Sequence, residues 1–449
     1  MSFVDRPSLR EKALLVSIVP PGEDAELESV AELGRLAETA GATVLGAVIQ
    51  RRDTISASTF VGKGKLDEII SLTKEKGADV VLVDNDLSPA QARNIEKKTG
   101  LPVVDRTELI LDIFARHART REAMLQIELA QLTYALPRLK RLWTHLSRMK
   151  KGIGTRGPGE TQLETDRRLV KKRIADLKRD LEDVVARRER TVRSRAAEFR
   201  VSLVGYTNAG KSSLFRRLTG SRVLVEDKLF STLDTRTRTL SLPGKPRVLL
   251  SDTVGFIRNL PHSLVASFHA TLAEVEAADL LLHVVDASAA EPTRQIAAVE
   301  TVLEEIGASR IPSILVLNKL DLLPDRGKAA LLAAGRDSVA YVSAATGEGI
   351  ADLEAAISRR LDERRVEVEL FVPEDRSRVM ATLGRCAEVV EATVVDGGLR
   401  VIAILEPRHL LGIEREGATV RSRIDAAGRN GRGSDGSDGR PGRRGRRGG

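Results

Sequence analysis

The stretch Val201–Ser212 reads Val-Ser-Leu-Val-Gly-Tyr-Thr-Asn-Ala-Gly-Lys-Ser, an apolar run followed by two glycines that bracket four residues, then Lys and Ser. A strand, a glycine turn and a helix in this order are typical of a phosphate-binding loop in an α/β domain. The glycines let backbone N–H groups converge on phosphate oxygens, and the helix N-terminus adds positive potential. Lys211 is predicted to reach the β- and γ-phosphates, and the Ser212 hydroxyl to bind Mg²⁺.

A second polar segment, Asp252-Thr253-Val254-Gly255, follows the apolar strand predicted at Val248–Ser251. An acid at the end of a buried strand can hold Mg²⁺, usually through water. The Gly255 N–H is predicted to bond the γ-phosphate and so to sense its presence. A single Asp at a strand end is often structural, but Asp252 lies 41 residues after Lys211, which favours the metal role.

A third segment, Asn318-Lys319-Leu320-Asp321, follows the apolar strand predicted at Ile314–Leu317. The Asp321 carboxylate can accept hydrogen bonds from N1–H and the 2-amine of guanine, donors that adenine lacks. The aliphatic stem of Lys319 is predicted to cover the base. Ser343-Ala344-Ala345 is predicted to supply a backbone N–H to the guanine oxygen. The four segments in this order predict a guanine-nucleotide site.

The loop Phe230–Thr235 lies between the first two segments. A mobile loop at this point must supply a hydroxyl to Mg²⁺, and Thr232 is favoured over its neighbour Thr235. Phe256 follows Gly255 at a position where many GTPases of this superfamily place a Gln that orients water. A phenyl ring cannot orient water, so we predict slow intrinsic turnover and activation by a partner. Asn208 is either a ligand for a monovalent cation such as K⁺ or a side chain that stabilises the turn.

The predicted site falls into three groups of residues. The nucleotide-binding group is Gly205, Tyr206, Thr207, Asn208, Ala209, Gly210, Lys211, Ser212, Ser213, Phe230, Thr232, Asp252, Thr253, Val254, Gly255, Asn318, Lys319, Asp321, Ser343, Ala344 and Ala345; the catalytic group is Lys211, Thr232 and Gly255; the metal-binding group is Ser212, Thr232 and Asp252.

Apolar strands alternate with helical patterns on both sides of a long charged segment, which predicts an α/β protein of several domains. We predict a GTPase domain, preceded by an α/β domain with a long helical hairpin and followed by a small α+β domain. The boundaries are 1–115 for an N-terminal α/β subdomain, 116–198 for the hairpin, 199–363 for the GTPase domain, 364–425 for the C-terminal domain and 426–449 for a disordered Arg/Gly tail.

The hairpin is predicted from two amphipathic segments, Arg121–Met149 with a leucine stripe and a kink at Pro137, and Gln162–Glu198 with a seven-residue apolar repeat. The connection at 150–159 is too rich in glycine to be helical. Arg138–Arg173 holds twelve Lys or Arg against three acids, a net charge of +9 that equals the charge of the whole chain. A basic tip of this kind can enter an RNA cavity and neutralise phosphates; a solvated charged face is the alternative.

The composition limits the remaining possibilities. The chain is 42% hydrophobic and 30% charged, as in a soluble globular protein, and its 3% aromatic share argues against a base-stacking platform. Neither an apolar span of membrane length nor a secretory signal is apparent. The single cysteine, Cys386, suits a reducing cytoplasm. Gly62-Lys63-Gly64-Lys65 lacks the spacing of a phosphate loop and is interpreted as a helix-entry turn.

The chain resembles the HflX family of translational GTPases over roughly residues 12–420. The resemblance lies in Thr59–Lys65, the run Asp84–Glu96, the specific segment Gly152–Arg168 and Asp252–Pro261. It implies a central Ras-like P-loop GTPase domain, binding to the large ribosomal subunit and its rRNA, GTP hydrolysis stimulated by the ribosome, and splitting or rescue of stalled ribosomes under stress. We expect the chain to be a monomer that associates with the ribosome. The Arg/Gly tail departs from the family pattern.

Two other functions stay open at this point. The chain could be a GTPase that assembles the large subunit, or an RNA-binding protein whose affinity is set by nucleotide. In either function the cofactors would again be GTP or GDP with Mg²⁺.

Overall fold

The computed structural model describes residues 11–19, 26–52, 55–139, 159–194, 198–221, 229–230, 235–257 and 274–424, with side chains of the helix over 159–194 described for 164–184. The chain divides into two compact units. The first comprises 1–196, 200–238 and 249–350, and the second comprises 197–199, 239–248 and 351–449. Residues 150–158 of the predicted hairpin tip at 150–159, Thr232 and the tail at 426–449 lie outside the described residues.

The first unit begins with a four-stranded parallel sheet in the order β2-β1-β3-β4. Every residue of the central strand except Lys12 is buried, because helices cover both faces of the sheet. Ala13 and Leu15 belong to the core on one face, and Leu14 and Val16 to the core on the other. The strands are β1 Lys12–Val19, β2 Thr43–Arg51, β3 Val80–Val83 and β4 Val103–Asp105; the helices are α1 Glu26–Thr39, α2 Lys63–Lys76, α3 Pro89–Thr99 and α4 Arg106–His117.

The helix starts of this sheet agree with the local sequence. Gly62 is the N-cap of α2, so the Gly-Lys-Gly-Lys segment is the expected helix-entry turn. The Ser88 hydroxyl accepts from the Gln91 N–H at 3.2 Å, and the Gln91 side chain accepts from the Ser88 N–H, a capping box that starts α3. Asp105 ends β4 and caps α4 by accepting from the Glu108 N–H at 3.0 Å.

Two long helices follow, α5 Arg121–Ala135 and α6 Gly159–Ser194, and they pack against each other. A 3₁₀ turn over Leu136–Arg138 ends α5 at the predicted Pro137 break. Leu177 of the seven-residue repeat is fully buried, as the repeat predicts. The predicted leucine stripe accounts for only part of the buried face of α5. The buried residues of α5 are Ala123, Gln126, Ile127, Leu129, Ala130 and Ala135, because α5 lies between α4 and α6 and buries a wider face than a leucine stripe alone would.

The second sheet has six strands in the order β10-β9-β8-β5-β7-β6, and the pairs β5–β8, β8–β9 and β9–β10 are parallel. Its central strands are apolar runs buried on both faces. The strands are β5 Phe199–Gly205, β6 Arg236–Leu240, β7 Val248–Asp252, β8 Leu280–Asp286, β9 Ser313–Asn318 and β10 Val339–Tyr341; the helices are α7 Lys211–Thr219, α8 Pro292–Glu305, α9 Gly327–Ala333 and α10 Ile350–Glu363. These sheets confirm the predicted α/β class.

The second unit contains an antiparallel sheet in the order β12-β13-β11-β14. Alternate residues of β11 are buried against two helices, whereas the residues between them face away from that core. The path strand–helix–strand–strand–helix–strand is the split β-α-β arrangement. The elements are β11 Val366–Pro373, α11 Ser377–Cys386, β12 Ala387–Val395, β13 Gly398–Leu405, α12 Leu410–Arg415 and β14 Thr419–Ile424. Among the described helices, none combines the length and the apolarity needed to cross a membrane.

Candidate nucleotide-binding site

The predicted phosphate loop connects β5 to α7, at the carboxyl end of a central parallel strand. Gly205 has φ +148°, and a Cβ there would collide with the backbone carbonyl of Val284 on β8. Gly210 has φ +90° and caps α7, a backbone conformation that L side chains rarely adopt. Both glycines are therefore required by geometry. They let the chain turn from the end of β5 into the start of α7, and a helix N-terminus attracts anions.

Lys211 is buried beneath this loop, where its Nζ donates to the carbonyl oxygens of Gly205 at 3.0 Å and Tyr206 at 2.8 Å. Burial lowers the pKa of Lys211 to about 8, although the nearby carboxylate of Asp252 acts in the opposite direction. A buried ammonium that is held by two carbonyl dipoles, with little negative charge nearby, is suited to bind an anion.

The Ser212 hydroxyl donates to Asp252 Oδ2 at 2.7 Å, so the structure brings two predicted metal-binding residues together. A hydroxyl and a carboxylate are hard oxygen donors of the kind that Mg²⁺ prefers. Thr253 supports this arrangement, since its hydroxyl donates to the Leu203 carbonyl at 2.6 Å. The residues present therefore fit Mg²⁺. The third predicted ligand, Thr232, lies outside the described residues.

Backbone hydrogen bonds join the phosphate loop to the segment that follows Asp252. The Thr207 N–H donates to the Phe256 carbonyl at 2.7 Å, and the Phe256 N–H donates to the Gly205 carbonyl at 3.1 Å. A Cβ on Gly255 would lie 2.7 Å from Thr207 Cα and 3.1 Å from Lys211 Nζ, so only glycine permits this approach. The predicted phosphate sensor thus lies directly beside the predicted phosphate-binding lysine.

The side chain of Phe256 is only 3% exposed. It belongs to one apolar cluster with Ile257, Phe230 and residues of the N-terminal domain. The rings of Phe230 and Phe114 on α4 meet edge to face, with centroids 4.5 Å apart. The Phe230 N–H also donates to the Thr207 hydroxyl at 3.1 Å. The N-terminal domain therefore packs directly against the loops predicted to surround the γ-phosphate.

A buried polar cluster extends the same contact. The Tyr206 hydroxyl donates to Glu32 on α1, and Arg106 on α4 pairs with both Glu32 and Asp84. The hydroxyls of Ser17 and Ser29 also donate to Asp84. Glu32, Asp84 and Arg106 are each at most 7% exposed. The sequence patterns contained no signal for this cluster, because its members are far apart along the chain.

The predicted base-binding segments converge at the carboxyl ends of β8, β9 and β10. Asn318 Nδ2 donates to the Ala209 carbonyl at 2.9 Å, and Asn318 Oδ1 accepts from the Ala344 N–H at 3.0 Å. The Ser343 hydroxyl donates to Asp321 Oδ1 at 2.5 Å. Asn318 thus links the phosphate loop to the base-binding loop, and the Ser343 side chain orients the predicted guanine acceptor.

Lys319 lies in the left-handed region with φ +63°, and its Nζ pairs with Asp286 Oδ2 at 2.7 Å. Asp286 ends β8 and was not among the predicted site residues, although it follows an apolar strand as Asp252 does. The ion pair holds the end of the Lys319 side chain at the carboxyl end of β8. All predicted site residues except Thr232 lie within the described part of the chain, and Asn208 has φ +60° in the loop.

Three family models match consecutive parts of the chain: "GTP-binding GTPase N-terminal" over residues 27–115, "GTP-binding GTPase Middle Region" over 117–195 and "50S ribosome-binding GTPase" over 200–319. "GTPase HflX" of Caldanaerobacter subterraneus subsp. tengcongensis is 44% identical over 396 residues, covering 88% of this chain and 91% of that protein. "GTPase HflX" of Escherichia coli K12 is 47% identical over 378 residues, covering 84% and 88%. "GTPase HflX" of Magnetococcus marinus is 44% identical over 422 residues, covering 92% and 98%.

Proposed function

Because this chain belongs to the HflX family of GTPases, we propose that its GTP-bound form binds the large ribosomal subunit and splits or rescues stalled ribosomes. The proposal includes stimulation of GTP hydrolysis by the ribosome and action as a cytoplasmic monomer. The observation that carries it is the match of residues 200–319, which contain the phosphate loop and Asp252, to a family described as 50S ribosome-binding GTPases.

GTP hydrolysis by this chain proceeds by attack of water on the γ-phosphate, in line with the leaving group. Lys211 and the Gly255 N–H would stabilise charge on the γ-phosphate oxygens, since the two lie side by side beneath the loop. Ser212, Asp252 and Thr232 would hold Mg²⁺, which when bound neutralises charge on the β- and γ-phosphates. Asp321 and the loop at Ser343–Ala345 would select guanine.

The burial of Phe256 supports activation by a partner. Its ring is held in the apolar cluster, and its backbone is bonded to the phosphate loop on both sides. Neither group can orient a water molecule. A partner that withdraws this segment from the cluster would allow the loop to rearrange around the γ-phosphate, and a bound ribosome would be that partner.

The charge of the hairpin supports an RNA target. Its segment Arg138–Arg173 has a net charge of +9. In the described part of α6, Arg167, Arg168, Lys171 and Lys172 have exposed or half-exposed side chains. Neutralising rRNA phosphates with these residues would release counterions and make binding depend on salt.

Sucrose-gradient profiles of intact ribosomes test the proposal. With GTP or a non-hydrolysable analogue, the protein should convert intact ribosomes into subunits. Replacing Arg148, Lys150 and Lys151 by Ala should reduce splitting. Replacing the exposed Lys74, Lys97 and Lys98 of α2 and α3 by Ala removes the same charge elsewhere and should leave splitting intact.

The same gradients separate the alternatives. An assembly GTPase would bind only immature large-subunit particles. An RNA-binding protein gated by nucleotide would bind in one nucleotide state without splitting ribosomes and without stimulated hydrolysis. Binding to neither ribosomes nor subunits at near-physiological salt would contradict every ribosomal role.

GTPase rates measured in K⁺ and in Na⁺, with Asn208→Ala as the comparison, test the proposed monovalent-cation ligand.

A further inference from the structure

Arg217 lies in the last turn of α7, the helix that begins at the phosphate loop. Its side chain reaches the base-binding loop, 127 residues further along the chain. Arg217 Nε donates to the Ala344 carbonyl at 3.2 Å, and Arg217 Nη2 donates to the Ala345 carbonyl at 2.5 Å. One planar guanidinium therefore holds two consecutive carbonyl oxygens, a fork geometry that a lysine cannot reproduce.

These two bonds fix the direction of a backbone N–H. A trans peptide unit is planar, and its C=O and N–H point in opposite directions. When Arg217 holds the Ala344 carbonyl, the Ala345 N–H of the same peptide unit points away from the arginine. The neighbouring Ala344 N–H is already bonded to Asn318 Oδ1. Arg217 holds a second peptide unit through the Ala345 carbonyl, and the N–H of that unit, on Thr346, donates to Ser343 Oγ at 3.1 Å. The Ala345 N–H is therefore the N–H that Arg217 directs towards the base site.

The other half of base recognition is held separately. Asp321 is oriented by the Ser343 hydroxyl at 2.5 Å, and the same hydroxyl accepts from the Thr346 N–H at 3.1 Å. Ser343 is fully buried. Two different side chains, Ser343 and Arg217, therefore support two different contacts that a guanine ring would make.

We infer that Arg217 is a positioning residue for guanine recognition, which aims the Ala345 N–H at the 6-oxo group of the base. The inference rests on the guanine site described under the proposed function. It adds a discriminating element outside the predicted motifs, placed on the helix that carries the phosphate loop. Phosphate binding and base recognition are thereby joined through one rigid element of about two turns.

A purely structural role makes a different prediction. Arg217 also lies near the carboxyl end of α7, where a cation interacts favourably with the helix dipole. Loss of that interaction would lower the stability of the domain and weaken all nucleotides by the same factor. Positioning of one donor would instead weaken only nucleotides that carry a good acceptor at position 6.

The test is the affinity of the full chain for three diphosphates, GDP, 6-thio-GDP and IDP, measured by calorimetry for wild type, R217A, R217K, S343A and R216A. 6-Thio-GDP keeps the donors that face Asp321 but has a weak acceptor at position 6. IDP keeps the 6-oxo group and lacks the 2-amine. R217A and R217K should weaken GDP by roughly threefold to tenfold. They should weaken 6-thio-GDP less, so the preference for GDP over 6-thio-GDP falls while the preference for GDP over IDP stays.

The controls make each outcome decisive. S343A should lower the preference for GDP over IDP without lowering the preference for GDP over 6-thio-GDP. R216A, which removes the same charge from the neighbouring exposed position, should change neither preference. Equal weakening of all three nucleotides in both R217A and R217K would overturn the inference. If R217A did not fold, R217K alone would decide between these outcomes. A wild-type chain that bound ADP as tightly as GDP would instead refute the guanine site itself.

Discussion

The pKa of Lys211 is set by the burial of its ammonium group next to backbone carbonyl oxygens. Its ammonium is surrounded by carbonyl dipoles beneath the phosphate loop, and desolvation lowers its pKa to about 8. His283, on the adjacent strand β8, has its pKa lowered to about 3 by burial and by the positive charges of Arg336 and Lys211. His283 therefore stays neutral at the pH values where Lys211 changes its charge.

Nucleotide affinity should consequently depend on pH above neutrality. In the proposed site a phosphate would bind the charged form of Lys211, so binding would raise the pKa of this lysine. Below about pH 8 Lys211 is charged in both states and affinity is constant; above it, binding takes up a proton and affinity falls by up to about tenfold per pH unit. Calorimetry of GDP binding in two buffers of different ionisation enthalpy would detect the proton. The K211M variant should show weak binding without this uptake, and an identical pH dependence in that variant would contradict the assignment.

Single residues also mark the limit of prediction from sequence. Gly205, Gly210 and Asp321 are recognisable because each falls in a short motif with a chemical reason for its spacing. Arg217 and Asp286 are not recognisable in this way. Their contacts join segments separated by tens to more than a hundred residues, and an arginine in a helix end is an ordinary surface residue in any local pattern.

Among the elements, the buried strands are predictable and the polar ones are not. β5, β8 and β9 are apolar runs because both faces of the sheet are covered. β6 has the sequence Arg-Thr-Arg-Thr-Leu at the edge of one sheet, and β14 has the sequence Thr-Val-Arg-Ser-Arg-Ile at the edge of another. Neither strand was predicted from the sequence. An edge strand is stabilised by ladder hydrogen bonds to one neighbour, and its exposed face needs no apolar side chains.

The segment around Phe256 gives a prediction at this scale. Phe256→Gln supplies a group that can orient water and removes a ring from the apolar cluster, so the segment should leave the cluster more easily. We expect faster turnover without a partner, and a loss of more than about threefold in turnover stimulated by large subunits. Steady-state GTPase assays with and without purified large subunits measure both.

Phe256→Leu is the matched comparison, because it removes the ring without adding an amide and should not gain partner-free turnover. If Phe256→Gln left partner-free turnover almost unchanged and reduced the stimulated rate by no more than about threefold, the proposed role of Phe256 would be wrong.

For binding of the whole molecule to RNA, the position of the charges along the chain matters more than the net charge. The segment Arg138–Arg173 has a net charge of +9, which equals the net charge of the whole chain. The tail after residue 425 contains seven Arg and two Asp. The logarithm of the ribosome affinity should therefore fall linearly with the logarithm of the salt concentration, with a slope of roughly −0.7 to −0.9 per neutralised phosphate.

The Arg/Gly tail has two candidate roles, sequence-independent contact with RNA and improved solubility, and a chain ending at residue 425 separates them. If the tail contacts RNA, the shortened chain should bind with a shallower salt dependence than the full chain. If the tail only improves solubility, the two slopes should be equal. Pelleting with large subunits at several salt concentrations measures both slopes.

The N-terminal sheet has a further consequence for what this molecule can recognise. In its order β2-β1-β3-β4, the chain moves from β1 to one side of the sheet to form β2 and then to the other side to form β3 and β4. Open parallel sheets usually bind ligands at such a point, in the crevice outside the carboxyl ends of the two strands. Here Arg106 and Tyr206 occupy the position, anchored to Asp84 and Glu32. The guanidinium acts as a tethered ligand at an effectively saturating local concentration. Any free cation competing for these carboxylates would have to displace a group that cannot diffuse away.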